Sequence, residues 1–173
     1  LNRITTTFVE LVGEVIGPTI DIPAPDVGTD AQVMGWIMDE YSRYHGFNPG
    51  VVTGKPVDLF GSLGRSEATG RGVMYALEEF LKTDDRKLAD VSVAIQGFGN
   101  VGSHAARLIA ERGGRIVALS DISGGIVNDQ GIDIPALLEW IHDKGVVSGF
   151  PGADAVAGDA VLTHPVDVLI PAA

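Results

Sequence analysis

The sequence predicts an α/β protein built on a parallel sheet, preceded by a helical stretch. Three observations carry this. Residues 91–96, Val-Ser-Val-Ala-Ile-Gln, form a short β-branched run of the kind that a buried parallel strand needs. Gly97-Phe98-Gly99-Asn100-Val101-Gly102 follows at once, then Ala105, Leu108 and Ile109 at helical spacing, then a second apolar run, Ile116 to Leu119, ending in Ser120-Asp121. A third apolar run, Val166 to Ile170, closes the chain ahead of Pro171-Ala172-Ala173.

The glycines fit G-x-G-x-x-G, and each position has a physical reason. Gly97 permits the tight turn out of the strand. Gly99 has no Cβ, so a pyrophosphate can approach the backbone. Gly102 lets the helix pack close to the sheet. The helix starting near Asn100, with Val101 in its first turn, points free N–H groups and a positive dipole end at the phosphates. Asp121 stands where an acid binds adenosine ribose hydroxyls. The plainer alternative is a glycine-rich turn with Asp121 as a loop cap. Strand, glycines, helix, strand and terminal acid agree on dinucleotide binding, that is, on the first half of a Rossmann-type doubly wound domain. The third run is expected to be a further parallel strand whose C-terminal end lies beside the glycine turn.

Upstream, Leu1, Ile4, Phe8, Leu11, Val15 and Ile16 mark an amphipathic helix over residues 1–16, stopped by Gly17-Pro18. Thr19 to Pro23 reads as a short extended piece. Pro23-Ala24-Pro25-Asp26 keeps the backbone extended. Thr29 with Gln32 forms a capping box for a helix running to about Tyr44, with Val33, Met34, Ile37, Met38 and Tyr41 buried and Gly46 as its stop. Residues 47–65 are rich in Gly and Pro and long for a connection without structure of its own. A helix follows over 66–82, with Val73, Met74, Leu77, Phe80 and Leu81 inward. After Asp121, turn signals on both sides of Ile126-Val127 suggest a surface excursion. Asp133 and Pro135 open another helix, with Leu137, Leu138 and Ile141 buried and Gly145 at its end. Residues 150–163 carry no clear pattern. The expected organisation is 1–64, the end of an α/β substrate domain with its connecting loop, and 65–173, an incomplete nucleotide-binding domain. Both ends fall inside a pattern, so the sequence reads as an internal piece of a longer polypeptide.

The 173 residues are 45% hydrophobic and 20% charged, which argues for a packed core. Twelve basic and 23 acidic residues give a net charge of −11, which argues against a nucleic-acid partner. With no cysteine there is neither a disulfide nor a thiolate metal site, which suits a cytoplasmic location. No run approaches a membrane span. His45, His104, His142 and His164 lack ligand spacing, so no metal is expected.

Two further stretches carry candidate chemistry. Asp26, fixed between Pro25 and Val27-Gly28, reads either as a general acid/base whose pKa is raised by partial burial or as a turn cap accepting from the Gly28 or Thr29 N–H. Within Gly64-Arg65-Ser66-Glu67-Ala68-Thr69-Gly70-Arg71-Gly72, Thr69 is placed to bond a nicotinamide amide and Arg65 to hold a carboxylate or phosphate. Equally, the glycines allow close helix packing and the arginines are solvated. Lys55 is an anion anchor or a solvated loop lysine. Asp121 favours NAD, because a carboxylate repels a 2′-phosphate and no arginine follows directly. A neighbouring loop can rescue NADP, so dual use stays open.

Taken together, Asp21-Ile22-Pro23-Ala24-Pro25-Asp26-Val27-Gly28-Thr29, Val52-Thr53-Gly54-Lys55-Pro56, Glu67-Ala68-Thr69-Gly70-Arg71-Gly72-Val73, Gly97 to Gly102, Ser120-Asp121 and Val166 to Ala173 resemble the glutamate dehydrogenase family of amino-acid dehydrogenases, in order and over essentially the whole chain. The resemblance implies reversible oxidative deamination of L-glutamate to 2-oxoglutarate and ammonium with NAD(P). It also implies Asp26 as acid/base, Thr69 at the nicotinamide carboxamide, Asn100 near the phosphates and ribose, and a homo-hexamer to which helix 1–16 contributes. The family's catalytic lysine and substrate-binding lysines fall outside this chain, so these residues alone are expected not to turn over substrate. A leucine, valine or phenylalanine dehydrogenase shares the chemistry and differs in the side-chain pocket. A non-catalytic dinucleotide-binding regulatory module is the reading from another class.

Overall fold

Apolar side chains three and four residues apart on two helices build the first core. In the computed structural model, which describes residues 1–173, the chain divides into two compact units, Leu1–Arg65 and Ser66–Ala173. In the first, α1 (Asn2–Val12) packs on α2 (Ala31–His45). Val33, Met34, Ile37, Met38 and Tyr41 are all buried, and the Gly46 N–H caps the Ser42 carbonyl at φ 78°, as expected.

Three expectations here are corrected. α1 ends at Val12, and its buried side is Thr5, Val9 and, beyond the helix, Ile16. Leu1, Ile4, Phe8, Leu11 and Val15 are exposed in this chain. The helix carries two apolar stripes, and packing against α2 selects the shorter one, which periodicity cannot foresee. The α2 N-cap is Asp30, whose carboxylate accepts the Val33 N–H at 3.0 Å, because Thr29 is already bonded to Asp26. Finally, residues 47–65 are not structureless. They hold 3-10 turns at Pro49–Val51 and Val57–Leu59 and bury Val51 and Val52 in the same core.

The second unit is a five-stranded mixed sheet in the order β4-β3-β2-β1-β5. Its strands are β1 (Ser92–Gln96), β2 (Arg115–Asp121), β3 (Gly124–Val127), β4 (Asp154–Val156) and β5 (Val168–Pro171). Its helices are α3 (Ala68–Lys82), α4 (Asn100–Glu111) and α5 (Ile134–Lys144). β1 is parallel to both β2 and β5, while β3 and β4 extend the β2 edge antiparallel. The Ile126-Val127 excursion is therefore a sheet strand, with Ile126 fully buried; Gly124 and Gly125 belong to that strand, and Ile122-Ser123 make the hairpin turn into it. β5 lies across β1 from β2, which places the switch in strand order beside β1, where ligands bind in open α/β sheets.

One face of the sheet carries the main core, where Val93 and Ile95 meet Ala105, Leu108 and Ile109 of α4 and Leu137 of α5. Register shifts by one residue between Val93 and Ala94, so Val117 is an extra residue in β2. Ile116 and Leu119 both reach the helix face as a result, while Ala118 faces the other way. On that second face Ala94 and Ala118 are small, and Val161 of a 3-10 turn at Gly158–Thr163 lies directly on them. α3 begins at Ala68, not Ser66, and of its expected stripe Met74 and Leu81 are buried, Val73 and Leu77 partly so, and Phe80 is 65% exposed.

At the opposite end of the sheet from the glycine turn, Asp167 ties β5 to β1. Its carboxylate accepts the Ser92 N–H (2.8 Å), the Ser92 hydroxyl (2.7 Å) and the Arg86 guanidinium (2.7 Å). The Ser92 bonds, then Arg86, hold the Asp167 carboxyl well below the usual carboxylate range. A depressed folded-state pKa contributes stability that is present above the unfolded value near 3.8 and lost as pH falls below it. Asp167→Asn should cost about 1 kcal/mol at neutral pH, after discounting for partial exposure. The deficit should shrink below about pH 4. Urea unfolding of both proteins across pH 3–7 checks this.

Candidate functional site

The site starts from the crossing of β1 into α4. Gly97 leaves the strand at φ 92°, and a Cβ there would meet the Ala172 carbonyl and the Ala173 nitrogen at 2.7 Å. The end of β5 thus lies against the glycine turn as expected, with the Ala172 N–H donating to the Gln96 carbonyl at 2.7 Å. A Cβ on Gly102 would fall 1.8 Å from the Gly97 carbonyl oxygen, so only glycine permits this helix position. Gly99 faces open space instead: nothing lies within 4 Å of its Cβ position.

α4 begins without a side-chain cap. Its first paired amide is that of Ser103, which donates to the Gly99 carbonyl. The amides of Asn100, Val101 and Gly102 are left without intramolecular partners at the positive end of the helix. Three orphan donors beside an open glycine are a fit for an anionic phosphate group.

A cleft of about 640 Å³ opens here, at the C-terminal ends of β1, β2 and β5. Gly97, Gly99, Asp121, Ile122, Asp159 and Leu162 are among its walls. Its volume is in the range of small-molecule sites. The Asp121 carboxylate lines the cleft and is also heavily used by the protein. Oδ1 accepts the Ser123 N–H (2.7 Å) and the Ser123 hydroxyl, and Oδ2 accepts the Val147 N–H (3.0 Å). The loop-capping reading of Asp121 therefore describes the bonds it makes, in a position that also lines the cleft.

The start of α3 is brought to the same region. Gly70 has no room for a side chain, since a Cβ would meet the Ala105 nitrogen and His104 Cβ at 2.7 Å and the Val101 carbonyl at 2.8 Å. This contact sets the first turn of α3 against the first two turns of α4, with the neighbouring Thr69 exposed. The Glu67 carboxylate binds Arg71 on one oxygen and Arg107 of α4 on the other, and Arg107 also reaches Glu111 at 2.6 Å. Arg71 first, then Arg107, holds the Glu67 carboxyl below its usual range. So the glycine packs closely, and Arg71 is paired rather than freely solvated. Sequence reasoning passed over Glu67 and Arg107, whose pairing spans 40 residues.

Asp26 belongs to the first unit. Its backbone carbonyl accepts both the N–H and the hydroxyl of Thr29 (3.0 and 2.9 Å), and its N–H donates to the Thr29 hydroxyl oxygen (2.8 Å). The carboxylate accepts the Val27 N–H at 2.7 Å. The expected burial is absent: Asp26 is exposed, because Pro25 and the Thr29 turn fix its backbone without covering the side chain. Lys55 donates to the Val52 carbonyl at 2.8 Å, and Arg65 is exposed. The histidines are dispersed: His45 stacks on Tyr41, and His164 pairs with Asp129 at 3.1 Å. No three His, Asp or Glu side chains converge on a metal position. No helix is long and apolar enough to cross a membrane.

The mixed sheet, the switch beside β1 and the glycine turn with its uncapped helix define a Rossmann-like nucleotide-binding fold, present in part. A family model described as Glutamate/Leucine/Phenylalanine/Valine dehydrogenase matches residues 61–173, and one described as Glu/Leu/Phe/Val dehydrogenase, dimerisation domain, matches residues 1–43. The chain belongs to the Glu/Leu/Phe/Val dehydrogenase family. It is 42% identical, over its whole length, to the catabolic NAD-specific glutamate dehydrogenase RocG of Bacillus subtilis, and spans 41% of that protein. The hetero-hexameric glutamate dehydrogenase of Thermus thermophilus superposes with a TM-score of 0.88 at 38% identity, covering 99% of this chain and 41% of that one. The Peptoniphilus asaccharolyticus glutamate dehydrogenase gives 0.78 at 34% identity, with 99% and 40% covered.

The second and third glycines of the motif should separate in stability. Gly102→Ala should cost about 2–3 kcal/mol, because its Cβ overlaps a backbone carbonyl. Gly99→Ala should stay within about 0.5 kcal/mol. Thermal unfolding of the two variants beside the parent chain measures the difference.

Proposed function

We propose that the protein carrying this chain is an NAD-dependent glutamate dehydrogenase, with NADP as the weaker or dual alternative. L-Glutamate, water and NAD⁺ give 2-oxoglutarate, ammonium, NADH and a proton, reversibly. The observation that carries the proposal is 42% identity across the whole chain to a relative named as an NAD-specific glutamate dehydrogenase. The chain spans less than half of that relative, so activity, substrate and assembly are properties of the longer protein.

Nicotinamide supplies the hydride acceptor for the substrate α-carbon. The roles read for this chain's residues are those the family resemblance implies, and their chemistry suits them. The amides of Asn100, Val101 and Gly102 hold the pyrophosphate, Gly97 and Gly99 leave the backbone open to it, and Asp121 stands at the adenosine end of the cleft. Thr69 bonds the nicotinamide carboxamide through its hydroxyl and so orients the ring. The Asp26 carboxylate takes a proton from the substrate ammonium, which frees the nitrogen lone pair to drive hydride departure. It then relays protons as water adds to the imine carbon and ammonia leaves. Residues 1–64 are read as the end of the substrate domain and 65–173 as the nucleotide-binding domain. Assembly as a hexamer is read from the family, and the 173 residues alone are expected to be inactive. A cytoplasmic location is part of the same reading.

Reduction of NAD and NADP by the full-length protein, with glutamate, leucine, valine and phenylalanine offered in turn, tests substrate and cofactor together. Turnover is expected with glutamate and NAD. A preference for leucine or phenylalanine would keep the chemistry and move the pocket. Asp26→Asn should lower kcat by at least about 10²-fold while the affinity for NADH changes less than about twofold. A non-catalytic module would be indifferent to that change. Gly99→Ala should weaken NADH binding by about tenfold or more, since its methyl enters the space a pyrophosphate needs. Fluorescence titration of NADH gives both affinities.

A further inference from the structure

We infer that Asp159, in the 3-10 turn ahead of β5, accepts the adenosine ribose hydroxyls and excludes a 2′-phosphate from the cleft. This rests on the reading of the cleft as a dinucleotide site. It assigns the discriminating role to a residue outside the strand–glycine–helix–strand unit.

Asp121 stands at the end of β2, beside the glycine turn. An acid at the end of the second parallel strand grips both ribose hydroxyls only if both carboxylate oxygens are available. Here Oδ1 already accepts two hydrogen bonds from Ser123, and Oδ2 accepts the Val147 N–H. Each oxygen has two lone pairs, so a single acceptor position is left. Those bonds close the β2–β3 turn on the chain following α5, so turning Asp121 toward a ligand would release both.

Asp159 has none of these ties. It lines the same cleft, is exposed to it, and its carboxylate enters no hydrogen bond or ion pair. Its place is set by packing. Val161 of the same turn is fully buried on Ala94 and Ala118, and a Cβ on the adjacent Gly158 would lie 3.9 Å from the Asp121 carbonyl oxygen. The turn is thus seated over the ends of β1 and β2. Asp121 and Asp159 are the charged side chains in the cleft wall, and no lysine, arginine or histidine offsets them. A free carboxylate suits a neutral diol, whose hydroxyls donate. It opposes a dianionic phosphate in the same position.

The test uses the full-length dehydrogenase, with NADH and NADPH as probes in fluorescence titrations. Asp159→Asn should tighten NADPH roughly tenfold and weaken NADH several-fold, because the repulsion is removed and a charged acceptor is lost. Asp159→Ser, which keeps a small polar group, should move the ratio in the same direction. Asp121→Asn should chiefly lower thermal stability. An NADH-to-NADPH affinity ratio unchanged within twofold in both Asp159 variants, with NADH still bound, would overturn the inference. So would a shift in that ratio produced by Asp121→Asn alone. If the unaltered protein binds neither nucleotide, the dinucleotide reading itself fails, and the assignment of Asp159 with it.

Discussion

The carbonyl of Gly97 occupies the place where any side chain on Gly102 would stand. That close approach seats α4 on the end of β1, and most of the second unit follows from it. It fixes where the helix begins, and therefore where three unpaired amides point. It leaves Gly99 facing open space, and it lets the end of β5 lie against the turn through the Ala172–Gln96 hydrogen bond. The main core packs Ala105, Leu108 and Ile109 of α4 against β1, so fold stability and the direction of the unpaired amides depend on the same helix placement.

Around this turn the structure sorts its charges. Two clusters away from the cleft pair acid with base: Glu67 with Arg71 and Arg107, and Asp167 with Arg86, supported by Ser92. These ties hold α3 to α4 and β5 to β1, at the margins of the sheet. Inside the cleft the carboxylates meet no cation. The strongly acidic balance of the chain therefore has a local consequence, since the negative field of Asp121 and Asp159 is not neutralised by the cleft wall itself.

The parts of the sequence that read correctly were those in which one local rule acts alone. The β-branched run, the glycine spacing and the helical repeat of Ala105, Leu108 and Ile109 lie within twenty residues of each other. α2 and α5 likewise carry their own stops at Gly46 and Gly145. Misreadings arose where a choice depended on a distant partner. α1 has two apolar stripes, and only α2 selects between them. Ile126-Val127 looks like a loop until β2 and β4 pair with its two edges. Asp26 reads as partly buried because it is held rigidly beside an apolar stretch, yet rigidity of the backbone and burial of the side chain are separate properties.

By itself, then, the sequence determined the class of fold and the glycine turn, because these rest on short-range sterics: the absence of a Cβ, a fixed φ, a repeat of 3.6 or 2. The family was legible separately, in the wording and order of its motifs along the chain. Tertiary structure alone decided which strand flanks β1, how the Asp121 carboxylate is spent, and that Asp159 stands in the cleft with its charge free. Those outcomes depend on groups 25 or more residues apart in the chain, such as Asp121 with Val147 and Ala94 with Val161. No local pattern encodes which of them will meet. The packing of the whole unit makes that choice.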